Sequence, residues 1–267
     1  KPEQAKAALE KAIRAGEAGQ FELKDMARWL PQIMAAGKGM KGMEGDEQHL
    51  ANLQAVAQVT GSSDQAGNAY FNLLGKLTAP DAAKNFEDFG VNLPKELSAA
   101  AQRGEDPVSA FARLVEQRVV NTNRSYKKIK AQLATAKGAD RQALLQQAAE
   151  ILQGSAVGRI IQDREAMLGL VGVMNQGATK KDVLTQVKNA DGAIDVSYKV
   201  MASTTAAQLQ QAANEKDIAA SAAFSEVKPH IDNMLTGLRD AAQEFPRLTT
   251  VVYEAATALG VFAAVGM

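Results

Sequence analysis

Two runs decide how this chain folds: LPQIMAAGKGMKG (Leu30–Gly42) and LANLQAVAQVTGSSDQAGNAYFNLLGKLTAPDAAKNFEDFGVNLPKEL (Leu50–Leu97). Together they read as helix, glycine-rich break, helix, short turn, helix, and a compact turn closing on Gly90. In the third helix Ala66, Tyr70, Leu73, Leu74 and Leu77 recur at the three- and four-residue steps of one helical face. Gly61 suits the left-handed position that ends a helix, and Ser63 or Asp64 opens the next one. Two helices with so short a join are antiparallel neighbours or cross steeply. Thr78 and Asp81 resemble a capping box around Pro80, and the VNLP run after Gly90 reads as extended, able to pair as a small hairpin.

Upstream, residues 2–18 form a helix with Leu9, Ala12 and Ile13 on one face, and a second helix covers Leu23–Ala36 with Pro31 as a kink or break. Gly37, Gly39, Gly42 and Gly45 then read as a mobile hinge, with Asp46 capping the following helix. Gly37, Gly39 and Gly42 match G-x-G-x-x-G. The dinucleotide fingerprint needs a strand in front of it, and here a helix precedes it.

Downstream, Asp106–Pro107 is a cap followed by a proline in the first turn. The helix it starts extends to about Ala136, weakened in the middle by Asn121–Ser125. Asp140 caps another helix, and a further one spans Ser155–Met174. Thr179–Asp182 repeats the capping-box pattern. From there Val183, Val187, Ile194, Tyr198 and Met201, then Leu209, Phe224, Val227, Ile231 and Leu238, recur at helical steps interrupted only by Gly192 and Pro229. That spacing predicts one or two long helices with a coiled-coil-like interaction seam. Pro246 ends that run, and a last helix, Leu248–Met267, becomes almost wholly apolar after Glu254, with Leu259, Val261, Phe262 and Val265 as membrane-facing candidates. The thirteen apolar residues of Ala255–Met267 fall short of the about 20 that span a bilayer.

The fold class is therefore all-α: a bundle of short capped helices followed by long coiled-coil-like ones. The expected domains are a compact one over 1–176, a long helical segment over 177–246 and an apolar C-terminal helix over 247–267. At 267 residues with 46% apolar composition and only 5% aromatics, the chain buries a sizeable but alanine-rich core. Thirty basic and thirty acidic residues cancel, which argues against a nucleic-acid binder with a net basic surface. The best local candidate, RSYKKIK at Arg124–Lys130, reads as a solvated helix face. No cysteine is present, which excludes disulfide scaffolds, thiolate metal sites and thiol catalysis. The chain starts at lysine with no charged-then-apolar leader, so no secretory signal is expected here and a longer parent protein is.

No catalytic constellation emerges. His49 and His230 have no partner at metal-ligand spacing and read as polar or boundary helix positions. Ser125–Lys128 matches S-x-x-K without its companion motifs. Glu105–Asp106 and Asp163/Glu165 are explained as caps and surface faces. Trp29 reads as a packing anchor. No catalytic residue, metal ligand, nucleic-acid site or cofactor is expected, and the chain is read as not an enzyme.

The order of elements resembles the phage tail tape-measure protein family, in its minor-tail region. The resemblance is carried by LPQIMAAGKGMKG, by the helix pair joined at TGSSDQA (Thr60–Ala66), by NLLGKLTAPDAAKNFEDFGVNL (Asn72–Leu93) and by AAEILQGSAVGRIIQ (Ala148–Gln162). It covers residues 1–175. It implies a fragment of a scaffold in the tail lumen of a phage or prophage, which sets tail length during tube assembly and aids genome delivery. The implied partners are the tail tube protein, tail assembly chaperones, further copies of itself and the host membrane at infection. The implied location is the virion, after assembly in the bacterial cytoplasm. Two readings of other classes stay open: a membrane-active helical protein of the pore-forming or translocation kind, and a cytoplasmic coiled-coil adaptor.

Overall fold

The computed structural model describes residues 2–37, 40 and 42–202. Thirteen α-helices run in chain order among the described residues: α1 (Pro2–Ala18), α2 (Leu23–Ala36), α3 (Gly42–Ala57), α4 (Ser63–Leu77), α5 (Pro80–Glu87), α6 (Leu93–Gln102), α7 (Pro107–Arg118), α8 (Arg124–Leu133), α9 (Gly138–Gln153), α10 (Val157–Ile160), α11 (Arg164–Asn175), α12 (Gly177–Lys188) and α13 (Ala193–Ala202). No strand occurs among the described residues, so the all-α class holds, and Val91–Asn92 is a bare connection into α6 instead of half a hairpin. The described residues fall into two compact units: residues 15–188, and residues 2–14 with 189–202.

The larger unit is wrapped around α3. Leu50–Ala57 is buried without interruption, and Gly45, Glu47 and His49 are buried with it. A helix covered on all sides carries no amphipathic stripe, and this one is flanked by α2, α4, α11 and α12. α11 lies close against two of these neighbours because of two glycines. A Cβ at Gly169 would sit 2.6 Å from the Ala69 carbonyl oxygen on α4, and one at Gly172 would sit 2.7 Å from the Val56 Cα on α3. Only a residue without a side chain permits backbones to approach this closely. Gln54, itself wholly buried, seals the loop before α2: its amide donates to the Ala15 and Phe21 carbonyls at 2.8 and 2.7 Å, and its oxygen accepts from the Phe21 N–H at 2.9 Å.

Side-chain caps set five of the helix starts, as short polar residues ahead of a first turn should. Ser62, Asn92, Asp106, Asn123 and Asp163 each accept from backbone N–H groups of the turn they precede. Several expected boundaries move. α3 begins at Gly42, so Asp46 lies inside the helix. Ala79 precedes α5 without a side-chain cap, and Asp81 pairs with Lys76 at 3.0 Å. α9 opens at Gly138, so Asp140 sits in its first turn where its charge suits the helix dipole. The expected helix to Ala136 is two, parted by a 3-10 turn at Val120–Thr122. The one expected over Ser155–Met174 is α10 and α11, parted at residues 161–163.

The described part of the expected seam, which allowed an interruption at Gly192, is two short helices. α12 ends at Lys188 and packs on α3, with Val183 and Val187 buried. In the smaller unit Gly192 takes a positive φ of 78° ahead of α13, and its N–H donates to Glu10 Oε1 at 3.1 Å. A non-glycine residue rarely adopts that backbone, so the turn is where the helical run stops.

Candidate functional site

The chemically richest place in the described residues is a polar cluster inside the larger unit, where α3, α4, α7 and α12 meet. Asp106 anchors it. As the N-cap of α7 its carboxylate accepts from the Val108 N–H at 3.1 Å, the Ser109 N–H at 3.0 Å and the Ser109 hydroxyl at 2.7 Å. Lys180 of α12 adds an ion pair at 2.6 Å, with side-chain exposures of only 13% for the lysine and 4% for the aspartate. The Lys180 ammonium also donates to Ser109 Oγ at 2.6 Å. Asn52 Nδ2 donates to Asp106 at 3.4 Å and to the Tyr70 hydroxyl at 3.1 Å. That leaves the Tyr70 proton for His49 Nδ1, 3.0 Å away.

The electrostatics are those of a sealed interior. Burial pushes the Asp106 carboxyl up, but the Lys180 charge and the hydrogen bonds from Lys180, Ser109 and Val108 outweigh it, and the net shift is downward. The Tyr70 phenol lies well above its ordinary value, first through burial and then through the Asp106 charge. His49, with no exposed surface, is lowered to about 4, mainly by burial, with Asp106 raising it and Lys180 lowering it further. At neutral pH the imidazole is uncharged.

His49 Nε2 is buried without a protein hydrogen-bond partner and faces Gly37, where a Cβ would lie 2.4 Å away. This explains the first glycine of the G-x-G-x-x-G match. Gly37 ends α2 and makes room for an imidazole edge, Gly42 opens α3 with a φ of 67°, and Gly39 lies outside the described residues. No strand precedes them.

A carboxylate that accepts this many donors, an ammonium bonded to that carboxylate and a phenol held protonated are poorly placed to exchange protons with a substrate. The arrangement instead fixes how four helices meet. The described residues hold no group of three histidines or carboxylates able to bind a metal ion. A shallow depression of about 350 Å³ along α12, lined by Gly177, Lys180, Lys181, Leu184, Thr185 and Lys188, offers no carboxylate or imidazole. From the sequence His49 reads as a polar or boundary position; it belongs to the core, where the Tyr70 hydroxyl satisfies Nδ1 and the Tyr70 ring packs edge-on against the imidazole.

A second cluster lies where α8, α9 and α11 meet. The Tyr126 hydroxyl shares hydrogen bonds of 3.0 and 2.9 Å with the Asn175 amide, whose nitrogen also donates to the Val171 carbonyl at 2.9 Å. Arg141 donates to the Leu133 carbonyl at the end of α8, and to the Asn175 carbonyl and Gln176 Oε1 at the end of α11, both at 3.1 Å. A guanidinium there satisfies orphan carbonyls and suits both helix dipoles. Burial raises the Tyr126 phenol to about 12, with the Asn175 bond opposing and the Glu116 charge assisting.

The predicted seam residues are not brought onto one helix. Val183 and Val187 are core residues of α12, Ile194 is half-buried on α13, and Tyr198 and Met201 lie on α13 with their side chains outside the described residues. Leu209, Phe224, Val227, Ile231 and Leu238 fall outside them, as do Leu259, Val261, Phe262 and Val265. Among the described residues no helix is long and apolar enough to cross a membrane. Trp29 packs its ring over Gly67, where a Cβ would lie 2.4 Å from it, and donates Nε1–H to Asp64 at 3.1 Å.

These helices have recognisable relatives. The chain is 29% identical over 125 residues to a probable tape measure protein of Burkholderia phage BcepMu, a match that covers 46% of this chain and 15% of that protein. The chain thus corresponds to a small part of the relative's length. No solved structure matches it. The family of phage-related minor tail proteins matches residues 1–149, the stretch that holds α1–α8 and three of the four helices joined by the Asp106 cluster, α3, α4 and α7. With more than half of its length so matched, the chain belongs to the phage-related minor tail protein family.

Proposed function

We propose that this chain is a segment of a tail tape-measure protein, a helical scaffold in the tail lumen around which the tube polymerises and which sets tail length. The similarity over 125 residues to a probable tape measure protein carries the reading. The minor-tail match over residues 1–149 and the all-helical architecture support it. A helix advances about 1.5 Å per residue, so a mostly helical chain converts residue number into length. On this reading residues 15–188 are a folded assembly module and not ruler, because their short helices turn back around α3. Ruler length comes from the chain past residue 202.

The proposed partners are the tail tube protein, tail assembly chaperones and further copies of the chain. The proposed location is the virion tail lumen after assembly in the bacterial cytoplasm. Entry into the host membrane at infection falls to the apolar stretch containing Leu259, Val261, Phe262 and Val265.

Tail length in electron micrographs tests this. Particles whose gene lacks codons 203–245 in frame should carry tails shorter by about 65 Å, at about 1.5 Å per residue. Duplication of the same codons should lengthen tails by as much. Unchanged length in both would assign the segment to another role in the tail.

A further inference from the structure

We propose that the outward face of α8 binds the phosphate backbone of double-stranded nucleic acid without regard to sequence, through Arg124, Lys127 and Lys128. The three side chains are exposed, and no carboxylate pairs with any of them among the described residues. Their spacing puts them on one turn of one face, with Cβ atoms about 5–6 Å apart. The opposite face, Tyr126, Ile129 and Leu133, is buried. Lys130 points elsewhere and is engaged by Glu116, so it is not counted.

The charge is concentrated against local helix stability. α8 contains no acidic residue, and Arg124 is its first residue. The amino end of a helix disfavours cations. α4, α6 and α11 each place an acid in the first turn, as a face selected for stability would. In a chain of thirty basic and thirty acidic residues, the field that matters is local, because salt screens charges beyond about 10 Å.

Partner class follows from what the face lacks. It has no exposed aromatic on which an unpaired base could stack, since Tyr126 is 1% exposed. Its aliphatic residues are turned into the core, so it offers nothing to insert into a lipid surface. On α8 the other exposed residues besides Lys130 are Ser125, Ala131 and Gln132, and none of them is the apolar anchor around which protein interfaces are built. A rigid row of phosphates needs only the cations.

The test uses the full chain and a labelled duplex DNA of arbitrary sequence, with binding followed by fluorescence anisotropy. Three phosphate contacts give a slope of log K against log salt of about −2.7, or about forty-fold weaker binding between about 50 and about 200 mM salt. Arg124→Gln/Lys127→Gln/Lys128→Gln should abolish binding with an unchanged circular dichroism spectrum. Lys127→Arg/Lys128→Arg should keep the slope, and so should Lys84→Gln/Lys95→Gln, which removes exposed lysines elsewhere. Failure to bind duplex at about 50 mM salt, binding indifferent to the triple variant, or binding only to phosphatidylserine vesicles would each overturn the proposal.

Discussion

The Asp106 cluster joins α3, α4, α7 and α12 through an ion pair closed off from water, whereas the Tyr126 cluster joins α8, α9 and α11 through a phenol–amide pair and a guanidinium on two helix ends. The difference lies in what remains when one member is lost. In the first, every partner of Asp106 is itself buried or part-buried, so a deletion strands a charge in low dielectric. In the second, Arg141 is only half-buried and water can replace part of what it gives. The first should therefore break as a unit and the second should weaken by steps.

Asp106→Ala gives the largest expected effect. It removes the cap of α7 and leaves the Lys180 ammonium unpaired, at the upper end of the about 3–5 kcal/mol typical of a halved buried pair. Lys180→Met should fall at the lower end of that range, because Asp106 keeps its Val108 and Ser109 donors. The double variant Asp106→Asn/Lys180→Met keeps a capping side chain and strands no charge, so it should cost less than either single change. Urea denaturation of the three variants measures this, and a double variant that loses more than either single change would show that the pair does not act as a unit.

The next effect is one of pH. His49 titrates at about 4 in the fold against an ordinary 6.5, so the unfolded chain binds the proton more tightly. Stability is complete above pH 6.5 and falls as pH drops from there towards about 4, by about 3 kcal/mol in all. Asp106 is shifted in the same direction, but from the ordinary carboxylate value of 3.8, so its contribution is lost only as pH falls through and below that range. The loss between pH 6.5 and 4 therefore belongs to the imidazole. Urea midpoints across that window should show the slope, and His49→Gln should flatten it. A slope that survives the substitution would assign it to other groups.

How far these clusters could be read from the sequence follows from where their partners lie. Asp106–Pro107 announces a helix start because the cap acts on N–H groups two and three residues on. The ion pair on the same carboxylate was hidden, because Lys180 is far along the chain and nothing local marks it. The α4 face was legible from its period. α3 was not, since a helix buried on every side has no stripe, and His49, Asn52 and Gln54 look like solvent positions until Tyr70, Asp106 and Phe21 are brought to them. Val183 and Val187 were legible as an apolar pair, but the same spacing serves a long seam and a short docked helix. The turn at Gly192 settled which one the described residues adopt.

The stepwise behaviour of the second cluster is read from two smaller changes. Tyr126→Phe removes the hydroxyl while the Asn175 amide keeps its bond to Val171, so about 1–2 kcal/mol should go in denaturant titration. A loss as large as that of Asp106→Ala would erase the contrast between the clusters. Asn123→Ala removes only the Asn123 Oδ1 bond to the Tyr126 N–H, 3.0 Å long, and should cost about 1 kcal/mol. Asn123→Asp keeps the cap and puts a negative charge at the amino end of α8, next to the unpaired Arg124. If the cations on that end are held against the helix dipole, the aspartate should leave α8 as stable as before or firmer by a few tenths of a kcal/mol. It should also weaken duplex binding, because the new carboxylate sits where a phosphate would. Stability and binding then move in opposite directions at one residue, an outcome expected of a charged face placed for a partner and not of one placed for the fold.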